Sequence, residues 1–166
     1  MARQIALETV RKSPASLKIN YGGARMEQRP VTLFPLTPTQ KQTEIVQSLE
    51  SSILTSQTSF DLQRQFEHIA DNILRLGTGY RLDVPKTLVL FINKPRSDLT
   101  ASSKAVATLQ QKGVKLIVVG VGDGVTDIDL LPLVDGDKDI IRNVKAQDKT
   151  DEILDVNSIT EKGKRG

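Results

Sequence analysis

Residues 86–98 read KTLVLFINKPRSD, a stretch apolar at consecutive positions, Leu88-Val89-Leu90-Phe91-Ile92, that breaks abruptly into polar residues. Apolar side chains on both faces suit a strand inside a parallel sheet, covered by helices above and below, better than an edge strand with one wet face. In open α/β sheets, ligands are met beyond the carboxyl ends of the strands. Asn93-Lys94-Pro95-Arg96-Ser97-Asp98 therefore stands where working residues are expected.

Toward the C-terminus, Ser97 or Asp98 is placed to cap a helix carrying Ala101, Ala105, Val106 and Leu109, with Gly113 to stop it. VKLIVVGV at 114–121 reads as a second buried strand, followed by a helical turn around 128–134, a short strand at 139–142 and a helix over 150–159 through Ile153, Leu154 and Val156. Strand, helix, strand, helix, strand in that order predicts a parallel sheet with right-handed crossovers.

Toward the N-terminus, residues 2–12 place Ile5, Ala6, Thr9 and Val10 at helical spacing before Ser13-Pro14 ends the segment. ASLKINY at 15–21 alternates Leu17, Ile19 and Tyr21 with polar residues, Gly22-Gly23 turns the chain, and Pro30-Val31-Thr32-Leu33-Phe34 runs back as an antiparallel partner. Thr37-Pro38 offers a capping hydroxyl and a first-turn proline to a helix with Ile45, Val46, Leu49, Ile53 and Leu54 on one face. A further helix from Ser59 to Leu76 carries Leu62, Phe66, Ile69, Ala70, Ile73 and Leu74, and Gly77 closes it.

With 166 residues and 38% hydrophobic content, one domain with one core is the default, here 1–160, with 161–166 (EKGKRG) a flexible basic tail. Lys+Arg 23 against Asp+Glu 20 leaves a net +3, too small and too dispersed for a nucleic-acid surface. The absence of cysteine excludes disulfides, zinc-thiolate sites and thiol nucleophiles but leaves the redox compartment open. MARQIALETVRKS is amphipathic without the apolar core of a secretory signal, and no stretch approaches the roughly 20 apolar residues that span a bilayer. If the parent protein is secreted, its signal lies upstream and this chain is an excerpt.

Taken together, LVLFINKPRSD, AVATLQQKGVKLIVVGVGD and the hairpin ASLKINYGGARMEQRPVTLFPL resemble the von Willebrand factor type A domain, the module of matrix proteins, collagens and integrins. The resemblance runs from about Ala2 to Ile159. Its most specific portion is a helix, then Lys112-Gly113-Val114, then a hydrophobic strand closing in Val119-Gly120-Val121-Gly122-Asp123. It implies a Rossmann-like, doubly wound, mostly parallel α/β sheet with an antiparallel edge strand, in three α/β/α layers. It further implies a secreted, non-enzymatic adhesion module whose partners are matrix or cell-surface proteins.

The family's metal-ion-dependent adhesion site uses an Asp-x-Ser-x-Ser loop after the central strand, a threonine before a later helix, and an aspartate after the fourth strand. This chain opens in what corresponds to the first helix, so neither the loop nor the central strand has a counterpart, which makes an N-terminally truncated domain the expectation. The aspartate position is matched by Asn93 and its neighbouring glycine by Lys94. Thr58 and Ser59 are the hydroxyls nearest the expected threonine, although aligning the helix by Phe66 and Ile69 puts that position near Phe60. A hard cation such as Mg²⁺ or Mn²⁺ needs several oxygen donors with carboxylates among them, and Lys94 opposes its charge. A degenerate site without bound metal is therefore expected, unless residues outside the chain complete it. Deleting a central strand also exposes two rows of backbone groups, to be met by an upstream strand, by re-pairing or by a partner's strand.

Other motifs have plainer readings. GVGDG at 120–124 superficially matches a dinucleotide loop, but such a loop belongs after the first strand, with an acidic residue about 20 positions on. GTGYR at 77–81 lacks the Lys-Ser/Thr ending of a phosphate loop and reads as a helix cap and connection. His68, the single histidine, is expected on an exposed helix face beside Arg64 and Asp71. Asp123, Asp127, Asp129, Asp135, Asp137 and Asp139 lack the spacing of a calcium loop and read as turns and caps. The expected binding edge is formed by Lys94, Arg96, Asp98 and Asp123, the cations meeting a partner's carboxylate directly. The alternatives are a nucleotide-using α/β enzyme and a structural remnant that only packs beside neighbouring domains.

Overall fold

The structure, a computed structural model, describes residues 1–14, 16, 18–53, 61–75, 77, 79–94, 103–134 and 141–145. The chain divides into two compact units, Met1–Ile5 with Pro85–Gly166, and Ala6–Val84. Its elements in chain order are α1 (Ala2–Lys12), β1 (Gly23–Arg25), β2 (Val31–Phe34), α2 (Gln42–Ser51), α3 (Leu62–His68), β3 (Lys86–Ile92), α4 (Ser103–Gln111), β4 (Val114–Val121), α5 (Asp127–Leu130) and β5 (Ile141–Val144).

In the first unit, β3, β4 and β5 form a parallel sheet in that order, with Lys86 to Ile92 in register against Val114 to Gly120 and Val118 to Val121 against Ile141 to Val144. A strand pleats with a period of two, so each residue's parity assigns its face. Ile117, Val119, Val121 and Val144 form one buried cluster with Ile5, and Ala2, Val89 and Phe91 pack against it, so the first turn of α1 covers this face. Leu90, Ile92, Leu116, Val118 and Ile141 have the opposite parity and are also buried. That face is served by α4 and α5, both packed on β4, through buried Ala105, Val106, Leu109 and Leu130. These are the three α/β/α layers expected from an apolar run without alternation. A short 3-10 turn, Leu131–Leu133, continues α5 and buries Leu133.

Of the strand expected at 139–142, Ile141 and Arg142 lie in β5, which runs on to Val144, and residues 135–140 lie outside the described part. The proposed cap of α4 at Ser97 or Asp98, the helix at 150–159 and the tail at 161–166 lie outside it as well.

In the second unit, β1 and β2 pair antiparallel. The hairpin is displaced from its expected position: the strand is Gly23–Arg25, residues 18–21 are not strand, 15 and 17 lie outside the described part, and the chain reverses through residues 26–30. Gly22-Gly23 is not the turn. A Cβ on Gly22 would meet the Ile73 side chain, and one on Gly23 would collide with the Phe34 ring, so the pair lets the backbone pass close to core side chains. The register shift between Gly23 and Ala24 lies at the same place. The residues before it are tied by side chains instead of a ladder, Asn20 donating to Gly79 O at 3.0 Å and Arg81 to Lys18 O at 2.8 Å.

Helix α2 starts at Gln42, five residues beyond Thr37. Lys41 is its cap: its N–H donates to the Glu44 carboxylate at 3.4 Å, while its carbonyl accepts from Glu44 N and Ile45 N. Ser52 then ends the helix, both its N–H and its hydroxyl turning back to Leu49 O, which leaves Ile53 72% exposed and off the expected stripe. Ile45 and Leu49 pack with Leu7, Val10 and Phe34 as the core of this unit. Helix α3 is capped by Asp61, which accepts from Arg64 N at 3.2 Å, and it widens into a π turn over Ile69–Ile73 with Leu74 N bonded to Ile69 O at 2.9 Å. Of the expected stripe, Leu62, Phe66, Ile69, Ala70 and Ile73 are buried, while Leu74, at the end of the π turn, is half-buried.

Thr37-Pro38 has another use. Gly79 has φ +80°, and a Cβ there would lie 2.8 Å from the Thr37 backbone, whereas Gly77, at φ +90°, faces open space. Gly77→Ala carries only the left-handed backbone penalty and is expected to lose about 1 kcal/mol. Gly79→Ala adds a clash with main chain and is expected to lose about 2–4 kcal/mol. Urea unfolding of both variants measures the difference; equal losses would refute the contact as the reason for Gly79.

Candidate functional site

The carboxyl ends of β3 and β4 lie side by side because Ile92 pairs with Gly120. Beyond β3 stand Asn93 and Lys94, both exposed, and beyond β4 stands Asp123, also exposed. The parallel pairing thus brings an amide, an ammonium and a carboxylate to one end of the sheet. Thr58, Ser59, Arg96 and Asp98, the remaining residues expected to contribute, lie outside the described part.

The loop after β4 is fixed by its own chemistry. Gly122, at φ +96°, donates its N–H to Val144 O at 2.8 Å, which ties the turn to β5. Thr126 begins α5, and the Asp129 carboxylate accepts from its N–H at 2.8 Å and from its hydroxyl at 2.7 Å. The Thr-x-x-Asp spacing that announces such a box is visible in the sequence but was not singled out there as a pair. Asp127 accepts a hydrogen bond from the Asn143 amide on β5. A Cβ on Gly120 would run into the Asn143 side chain and lie 3.2 Å from Leu130 Cδ1. Gly120 and Gly122 of GVGDG are therefore explained by contacts within the protein. Asp127 and Asp129 serve turn and cap as expected, while 135, 137 and 139 lie outside the described part.

His68 departs from its expected exposure. Its Nε2 lies 2.9 Å from the Thr32 hydroxyl and its Nδ1 lies 3.1 Å from Asn72 Nδ2. Asn72 Nδ2 also donates to His68 O at 3.1 Å, which fixes the amide with its NH₂ toward the ring. Both ring nitrogens of His68 are thus engaged, by Thr32 on β2 and by Asn72 one turn on. This threonine, histidine and asparagine join α3 and the π turn to β2; Asn72, an amide, stands where a nucleophile's histidine would need an orienting acid. Among the described residues no group of three or more His, Asp or Glu is gathered as a metal-ligand set.

A three-stranded parallel sheet covered by helices on both faces, with polar loops at its carboxyl edge, defines a doubly wound α/β protein. The chain belongs to the von Willebrand factor type A domain family, which matches residues 2–156. Its fold is shared by proximal thread matrix protein 1 from the mussel byssus, at 16% identity, TM-score 0.72, and coverage of 91% of this chain and 38% of that one. The same mussel protein "with zinc occupied MIDAS motif" gives 16% identity and TM-score 0.75, over 96% of this chain and 41% of that one. Manganese-loaded TRAP protein of Plasmodium vivax gives 13% identity and TM-score 0.63, over 87% and 60%. The chain thus spans well under half of the mussel protein. No curated protein sequence matches it. Among the described residues, no helix is long and apolar enough to cross a membrane.

The two Thr126 hydrogen bonds hold the Asp129 carboxyl below the ordinary aspartate value. A depressed folded value means that this contact stabilises the protein above the unfolded aspartate pKa and is lost as pH falls through the folded one. Thr126→Val removes the hydroxyl and is expected to move Asp129 upward in an NMR titration of the carboxyl carbons. An unmoved Asp129 would assign the shift to something other than the cap.

Proposed function

We propose that this chain is a non-enzymatic, adhesion-type protein-binding module, one domain over 1–160 with a basic tail at 161–166. It works outside the cell among matrix or cell-surface proteins, and it meets its partner through the loops beyond β3 and β4 without a bound metal. Family membership supports the interaction role, and the mussel matrix protein supports the setting. The single observation behind the metal-free part is the pair that follows β3: Asn93 brings one neutral oxygen and Lys94 a positive charge, both exposed.

A divalent cation held by such a loop needs carboxylates to offset desolvation; beyond β4 the exposed carboxylates among the described residues are Asp123 and Asp127, and Asp127 is already engaged by the Asn143 amide. Mg²⁺ or Mn²⁺ would need donors from outside the chain. Lys94, with Arg96, instead contacts a partner carboxylate directly, and Asp98 and Asp123 select against partners with acidic rims. The nucleotide-using alternative loses its chief support, because Gly120 answers to Asn143 and Leu130 and α5 is a single turn.

Thermal unfolding in millimolar Mg²⁺, in Mn²⁺ and in chelator tests the metal-free reading. Midpoints are expected to agree within about 1 °C, because a ligand that does not bind the native state does not stabilise it. A rise of several degrees in either metal would overturn it. Adhesion to immobilised matrix proteins is expected to persist in chelator and to weaken in Lys94→Ala/Arg96→Ala; unchanged affinity in the double variant would reject the carboxylate contact.

A further inference from the structure

Asp123 and Gly124 form the turn that follows β4, and both are exposed. Among the described residues, Asp123 is the one aspartate followed by glycine, and no hydrogen bond or ion pair engages its carboxylate or the Gly124 N–H. The other acids nearby are occupied: Asp127 accepts from Asn143, and Asp129 accepts from Thr126. Gly124 differs from the two glycines before it. Its φ lies outside the left-handed region, and a Cβ there would meet nothing within 4 Å. Neither backbone conformation nor packing calls for glycine at this position, but its lack of a side chain leaves the Gly124 nitrogen bare toward the carboxyl group of the residue before it.

We propose that Asp123-Gly124 is a site of spontaneous covalent modification, in which the main chain is rerouted through the Asp123 side chain and adhesion weakens as a result. The Gly124 nitrogen attacks Cγ of the protonated Asp123 carboxyl group; the N–Cγ bond forms, and the amide proton leaves with the carboxyl hydroxyl as water. Water then adds to the cyclic imide. Cleavage of the N–Cγ bond restores aspartate, whereas cleavage of the bond from nitrogen to the Asp123 main-chain carbonyl carbon leaves isoaspartate. The water lost is regained, so the change is an isomerisation that needs no cofactor, oxidant or reductant. It lengthens the main chain by one methylene group and brings the free carboxylate directly onto Cα. The turn is fixed on both sides, by the Gly122 N–H bonded to Val144 O at 2.8 Å and by buried Val125. The extra atom must therefore be absorbed at the turn itself, which displaces the carboxylate that stands beyond β4. The chemistry is independent of any partner; the loss of adhesion rests on the binding edge proposed above.

The test ages the full chain for weeks at neutral pH and physiological temperature, beside a free peptide GVGDGVT that reproduces residues 120–126. Isoaspartate is quantified with an isoaspartyl methyltransferase and labelled methyl donor, and it is located by peptide mapping, which separates position 123 from the chain's other Asp-Gly pair, Asp135-Gly136. Isoaspartate is expected to accumulate at 123 in the folded chain at a rate comparable to that in the peptide, while Asp61, Asp127 and Asp129 stay unmodified. Gly124→Ala, which the open space around Gly124 accommodates, is expected to slow it severalfold without changing the unfolding midpoint. A folded chain that keeps Asp123 intact while the peptide isomerises would overturn the proposal, because the turn would then hold the carboxyl group away from the Gly124 nitrogen; so would equal rates with and without Gly124→Ala. Adhesion to immobilised matrix proteins, measured on the same aged samples, is expected to fall in step with isoaspartate at 123 and to persist in aged Gly124→Ala. Isoaspartate at 123 with adhesion unchanged would overturn the functional half, removing Asp123 from the binding edge, and leave the chemistry standing.

Discussion

A strand apolar on both faces cannot be half-wet, and β4 is the extreme case: Val118 and Val119, on opposite faces, are fully buried. Each face then needs its own cover. The first turn of α1 supplies one, with Ile5 set against Ile117 and Val119, and α4 with α5 supplies the other. Within that unit, both helical layers exist to keep β4 dry, and the polar loops are exposed at the ends of the strands because nowhere else is left for them. Gly120 shows how tight the arrangement is, since Asn143 and Leu130 close over the place where a side chain would stand.

Where an element is specified by its own period, the sequence announces it. β3, β4, α1 and the buried stripe of α3 follow directly from runs and spacings that need no distant partner. The displaced hairpin is the instructive exception. Gly22-Gly23 has the composition of a turn, yet its use is to admit Ile73 and Phe34 against the main chain, a requirement set by side chains far away in sequence. Thr37-Pro38 likewise has the form of a helix start but serves as the wall against which Gly79 packs.

The same limit governed the polar residues. His68 looks solvent-facing on its own helix, and only the approach of Thr32, 36 residues away, gives it a partner. Asn93, Lys94 and Asp123 were legible as a group because strand order alone brings the carboxyl ends of neighbouring parallel strands together. Their local setting was not, because it depends on Gly122 bonding to Val144 and on Asn143 reaching Asp127. Topology travels in the pattern; contacts between side chains from separate elements do not.

The unequal margins of the sheet bear on stoichiometry. A sheet that can be extended at both ends is a monomer for polymerisation, since every addition leaves a new acceptor and an old donor free. Among the described residues, Arg142 and Asn143 occupy the short outer strand, and the strand at the opposite margin is longer. A short, charged outer strand disfavours addition at its own margin, so growth of the sheet beyond β5 is suppressed whatever lies beside β3.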